Sequence, residues 1–145
     1  MSELKVLIVD DKIEDRAALH RLLATLELNI GMAEECGAGA EAQSLVHELN
    51  PDIVFVAFDE PVARPLKTIE SLAMEGKGII IAVSPLTDRD YLRKAMRAGA
   101  KEYLLKPLKA KEVSRAVQEV LEEERRKSTS KLLSDSGYYR RGSTD

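Results

Sequence analysis

The sequence predicts an α/β fold, a doubly wound (βα)5 domain built on a five-stranded parallel sheet. Two observations predict it. Short runs that are apolar at almost every position (Lys5–Val9, Ile53–Ala57 and Gly78–Val83) read as strands covered on both faces, the situation of a parallel sheet. Between and after them lie longer segments whose apolar residues recur at helical spacing, and such alternation gives a parallel sheet with helices on both sides. The length of 145 residues suits one such domain.

The first strand, Lys5–Val9, leads into a helix over Ile13–Leu26, where Arg16, Leu19, Leu22, Leu23 and Leu26 fall at helical spacing. Asn29–Ala33 is a short second strand and Ala40–Leu49 a second helix. The third strand, Ile53–Ala57, is followed by a weaker helix over Lys67–Met74. After the fourth strand, Gly78–Val83, Thr87 and Asp90 have capping-box spacing at the head of a helix carrying Tyr91, Leu92, Ala95 and Met96. Glu102–Leu105 is the fifth strand, and Val113, Ala116, Val117, Val120 and Leu121 form an apolar stripe on the last helix. These units fill residues 1–126.

Residues 127–145 differ in character. They carry a net charge of +2 against −5 for the rest, hold five serines and show little periodic hydrophobicity, so they read as a basic tail or interdomain linker. The whole chain is 44% hydrophobic and 32% charged, which excludes wholesale disorder. A net charge of −3 gives no nucleic-acid footprint, and 4% aromatics without Trp argue against a stacking platform for single strands. Cys36 is alone, which excludes an intramolecular disulfide and a cysteine-based zinc cluster. No apolar run approaches the ~18–20 residues that span a bilayer, and Met1–Leu4 leads into a strand without a signal peptide. A cytoplasmic protein without membrane or nucleic-acid partners is expected.

Open α/β sheets bind ligands beyond the carboxyl ends of their strands, so those positions carry the chemistry. Asp10 and Asp11 follow the first strand. Two adjacent carboxylates there suit Mg²⁺ and repel phosphate, and no Gly-rich loop follows, which disfavours a flavin or dinucleotide carrier. Asp11 has a second reading, as a cap of the next helix. Ser84, before Pro85, is either a hydroxyl aimed at an anionic oxygen or a turn serine. Lys106 is held extended by Pro107 and is either aimed at the acidic pair or an ordinary surface lysine.

Asp10–Asp11, Ser84, Tyr103 and Lys106–Pro107, in this order on a (βα)5 frame, resemble the receiver domain of bacterial response regulators, over roughly residues 4–124. Local strings agree: VLIVDD opens the domain, Pro51–Asp52 opens the third strand, and GAKEYLLKPL closes it. The resemblance implies a flavodoxin-like, CheY-like fold and a signalling module of two-component systems, not an enzyme. Receivers accept a phosphoryl group on an aspartate that ends the third strand. The resemblance puts Ala57 at that position, with Pro61 four residues on fixing the register. A methyl group neither attacks a phosphodonor nor ligates Mg²⁺. Of the family's metal-binding set, Asp10 and Asp11 remain, with Asp59 at the position that lends a backbone carbonyl. Mg²⁺ binding is therefore expected to be weak or absent, and no other cofactor is implied.

Asp59 is the weak substitute acceptor, since using it requires a shifted loop and phosphoryl transfer depends on positioning. Without an acceptor carboxylate, Lys106 is expected to pair with Asp10 or Asp11. In intact receivers the modified aspartate draws in the hydroxyl at the Ser84 position, and the aromatic at the Tyr103 position follows. That movement reshapes the face of helix four, strand five and helix five. With the trigger missing, this face is expected to be a fixed surface for a protein partner. Arg89, Arg93, Lys94 and Arg97 make helix four basic, while Glu102, Glu112, Glu119, Glu122, Glu123 and Glu124 make its neighbours acidic. Opposite charges on adjacent elements suit a two-fold homodimer, or else are plain solvated faces.

A narrower resemblance lies in Val56–Glu70, which is similar to the atypical N-terminal receivers of the CpaE/TadZ family. Those pseudo-receivers precede a MinD-like ATPase and localise Tad-type pilus machinery, which implies a fused or separate ATPase as partner. The alternatives are a phosphorylatable response regulator using Asp59, or the receiver part of a DNA-binding regulator truncated before its effector.

Overall fold

The structure, a computed structural model, describes residues 3–135. Its elements alternate as expected: β1 (Leu4–Val9), α1 (Ile13–Ala24), β2 (Ile30–Cys36), α2 (Ala40–Leu49), β3 (Ile53–Ala57), α3 (Ala63–Glu75), β4 (Ile79–Ser84), α4 (Arg89–Ala98), β5 (Glu102–Leu105) and α5 (Ala110–Asp135). The five strands form one sheet in the order β2-β1-β3-β4-β5, and every neighbouring pair is parallel. The strand order reverses beside β1, so the carboxyl ends of β1 and β3 flank the crevice where this topology places ligands.

Side-chain alternation divides the core in two. Leu7, Val9, Val54, Val56, Ile80 and Ala82 face α2, α3 and α4. Val6, Ile8, Ile53, Phe55, Ile81 and Val83 face α1 and α5, where Leu19, Leu23, Val113 and Val117 close over them. Burying each of these large side chains contributes roughly 1.5–3 kcal/mol. This explains why the central strands read as unbroken apolar runs. β2 is an edge strand with Glu34 and Glu35 in its course, so its pattern is mixed and it extends to Cys36, past the expected end.

Other boundaries also moved. α3 begins at Ala63, four residues before the expected start, and carries Pro65 in its first turn, where a missing N–H leaves no bond unmade. α4 is entered through Asp88 without a side-chain cap, so the expected Thr87–Asp90 capping box is not formed. α5 continues as helix to Asp135 and so runs into the segment expected to be a linker. Up to Lys131 its last buried residue is Val120, and beyond it Glu122 pairs with Arg125 at 2.5 Å and with Arg126 at 3.8 Å. Residues 136–145, the remainder of the expected tail, lie outside the described residues. Among the described residues no helix is long and apolar enough to cross a membrane.

Candidate functional site

β1 delivers Asp10 and Asp11 to the carboxyl edge of the sheet, and the two side chains part. Asp10 is half-buried, and its Oδ1 accepts the Lys12 N–H at 2.9 Å. Asp11 is exposed; its Oδ1 accepts the Ala38 N–H at 3.0 Å, and its Oδ2 lies 3.4 Å from Arg64 Nε. Asp11 therefore ties the β2–α2 loop and α3 to β1. It does not cap α1, whose cap residue is Lys12 with no side-chain bond.

Ala57 ends β3 opposite Val83 of β4 and lines a cavity together with Asp10, Asp15 and Lys106. Lys106 is anchored by its N–H on the Ser84 carbonyl at 2.9 Å, and a cis peptide bond joins it to Pro107. Its ammonium pairs with neither Asp10 nor Asp11, contrary to expectation. It meets Asp15 Oδ2 at 3.1 Å. The physical reason lies in α1: its first turn sets Asp15 beside the β5–α5 loop, while Asp10 is turned to Lys12 and Asp11 to Arg64. Asp15 is the site residue that sequence reasoning missed. Its signal was an acid in the first turn of the helix that follows the acidic pair.

Ser84 is fully buried, and three groups close a ring around it. The Leu86 N–H donates to Ser84 Oγ at 3.0 Å. Tyr103 Oη lies 2.9 Å from both Ser84 Oγ and the Leu86 carbonyl. One proton assignment satisfies all three: Ser84 donates to Tyr103, and Tyr103 donates to the carbonyl. The Ser84 hydroxyl is thus spent on Tyr103. The Tyr103 phenol is pushed up, first by burial. Its ring also meets Phe58 edge-on, with centroids 6.0 Å apart. Asp59 stands apart on the exposed β3–α3 loop, where its Oδ1 accepts the Glu60 N–H at 2.7 Å; Glu60 in turn accepts the Tyr91 hydroxyl.

A hard divalent cation needs several oxygens converging on one point. Asp10, Asp11 and Asp59 each point to a different backbone N–H, and no group of three His, Cys, Asp or Glu side chains suited to a metal occurs among the described residues. The donor set does not fit Mg²⁺.

A parallel (βα)5 sheet with an acid pair, a hydroxyl, an aromatic and a lysine at its carboxyl edge defines a receiver-type signalling domain. Residues 6–118 match the response regulator receiver domain family, and the chain belongs to it, a receiver domain of two-component signalling. The transcriptional regulatory protein BtsR of Salmonella typhi is 32% identical over 133 residues, 92% of this chain and 54% of that protein, so the chain spans about half of that relative. The chemotaxis protein CheY of Halobacterium salinarum is 30% identical over 118 residues, 81% of this chain and 96% of that protein. Among solved structures, the receiver domain of a modulated diguanylate cyclase from Desulfovibrio desulfuricans superposes with a TM-score of 0.72 at 25% identity, covering 87% of this chain and 99% of that one. A chemotaxis protein of Vibrio cholerae gives 0.71 at 21% identity, covering 82% and 99%.

Proposed function

We propose that this receiver is a phosphorylation-independent protein-interaction module, with Ala57 standing where a receiver's acceptor aspartate belongs. One observation carries the reading. The end of β3 presents a methyl group to the cavity that holds Asp10 and Lys106, and Lys106 is already neutralised by Asp15. Phosphoryl transfer needs a nucleophilic oxygen in line with the leaving group, and a methyl group supplies none. The second reading, acceptance on Asp59, is disfavoured because that carboxylate sits on the exposed loop and is not among the residues lining the cavity.

The face of α4, β5 and α5 is the surface we assign to the partner. Leu92, Met96 and Leu105 are 39%, 39% and 43% exposed there, and Arg89, Arg93, Lys94 and Arg97 are exposed on the same helix as Leu92 and Met96. An apolar centre with a charged rim is the anatomy of a protein interface. The Ser84–Tyr103 ring supports a fixed form of this face. A second copy of the chain is the partner its charges suit. Service in Tad-type pilus assembly, with an ATPase fused or separate, rests on the Val56–Glu70 stretch. The name of BtsR supports the alternative of a transcription regulator.

Incubation with acetyl phosphate and Mg²⁺, followed by intact-mass analysis, tests the reading. The wild-type chain is expected to show no gain, whereas Ala57→Asp gains the mass of one phosphoryl group. A base-labile gain on the wild type, mapped to Asp59, would overturn it.

A further inference from the structure

We infer that the cavity beside Ala57 is a binding site for a small organic cation, an ammonium head on a compact hydrocarbon or aromatic body. The cavity measures ≈ 330 Å³, at the lower end of the size range of small-molecule pockets. It opens between α1 and the sheet. Ile8, Leu19, Leu22, Phe55 and Val83 supply apolar walls, and the short Ala57 side chain lines the cavity where a larger residue would take up part of its space. Such walls favour an apolar body by removing it, and themselves, from water.

Charge selects the head group. Three charged side chains line the cavity: Asp10, Asp15 and Lys106. Lys106 and Asp15 cancel at 3.1 Å. Asp10 gives one oxygen to the Lys12 N–H, and among the described residues no hydrogen bond or ion pair reaches the other. Arg16 does not line the cavity: its guanidinium donates to the Asp10 backbone carbonyl at 3.1 Å and lies 3.7 Å from Glu35. Asp11 is turned outward to Arg64. The lining therefore carries one net negative charge, and one Asp10 oxygen has no hydrogen-bond or ion-pair partner among the described residues. An ammonium would give it a charge-assisted hydrogen bond, whereas an anion would meet Asp10 and would have to take Lys106 from Asp15. The inference does not depend on the interaction reading, because the cavity has these walls whether or not Asp59 accepts a phosphoryl group.

The test is titration of the ¹⁵N-labelled full chain with phenethylamine, using phenylpropionate and phenethyl alcohol as matched anionic and neutral probes. Saturable amide shifts at Ile8, Ala57 and Val83 are expected with the amine at a Kd of about 1 mM, and binding at least about tenfold weaker with the carboxylate. Ala57→Leu, which fills the cavity, should abolish the shifts. Asp10→Asn keeps an acceptor for Lys12 but removes the charge, and should weaken the amine about tenfold and level the three probes. The inference is overturned by no saturable shift up to about 10 mM amine, a concentration well above that Kd. Equal affinity for all three probes on the wild type, or undiminished amine binding by Asp10→Asn, overturns it as well. Shifts at the same amides on simple dilution would assign the cavity to a second copy of the chain, and would also overturn it.

Discussion

Asp10 sits in a position that serves the cavity better than the fold. Its carboxyl is pushed above the ordinary value of 3.8, first by burial; the Lys12 N–H and the Lys106 ammonium oppose that push, and Asp15 adds to it. An acid whose pKa rises on folding holds its proton more tightly folded than unfolded. Its contribution therefore favours the fold below 3.8 and is lost as pH rises through the folded value, so at neutral pH the ionised carboxylate weakens the protein. Asp10→Asn is expected to raise the urea midpoint at pH 7, with the gain disappearing near pH 3. A neutral-pH midpoint at or below wild type would show that the Lys106 attraction outweighs burial. The placement of Asp10, Ser84 and Lys106 at or just beyond the ends of strands was legible in the sequence. Their pairings were less so. Lys106 and Asp15 lie 91 positions apart, and three neighbouring acids compete for one lysine. The competing partners of Asp10 and Asp11, the Lys12 N–H and Arg64, leave Asp15 for the lysine.

At the scale of elements, α3 and α4 meet through a glycine. Gly99 follows α4 at φ +136°, and a Cβ there would lie 2.5 Å from the Ala73 Cβ on α3. Both the backbone conformation and the close approach demand glycine. Gly99→Ala is expected to cost roughly 2 kcal/mol or more, read as a lowered urea midpoint with unchanged slope. A loss under about 0.5 kcal/mol would mean that α4 moves away from α3 without resistance. The same scale shows what sequence reading captures. β1, β3 and β4 were legible because their central residues are buried on both faces and apolar throughout. β2 was legible only as the shorter Asn29–Ala33, because an edge strand tolerates Glu34 and Glu35 and its pattern there is mixed. The continuation of α5 past Arg126 was missed for a related reason. Residues 127–131 are exposed, so no buried stripe marks them, and the ion pairs just before them (Glu122 with Arg125 and Arg126) are the helix signal in its place.

For the molecule as a whole, charge separation across one face gives the proposed self-association a salt dependence. The chain carries −3 overall, yet four cations lie on exposed turns of α4. Of the acids nearby, Glu122 and Glu123 are taken by Arg125 and Arg126 within α5, while Glu112 and Glu119 make no ion pair among the described residues. In the proposed homodimer, a two-fold axis through this face would set α4 of one copy against Glu112 and Glu119 of the other, around Leu92, Met96 and Leu105. Surface charges act over ~10 Å at 0.1 M salt and ~3 Å at 1 M, so the charged rim weakens with salt while the apolar centre does not. Sedimentation equilibrium should therefore find a dimer at low salt whose dissociation constant rises on going to 1 M. Arg93→Glu should weaken that dimer at low salt and match wild type at 1 M, since both then rely on the same apolar contacts. A chain that stays monomeric at low salt and high concentration would refute self-pairing, and would leave the exposed apolar centre to a different protein. Equal weakening by Arg93→Glu at both salts would place the arginine in direct contact, its loss then being one of packing and not of long-range charge.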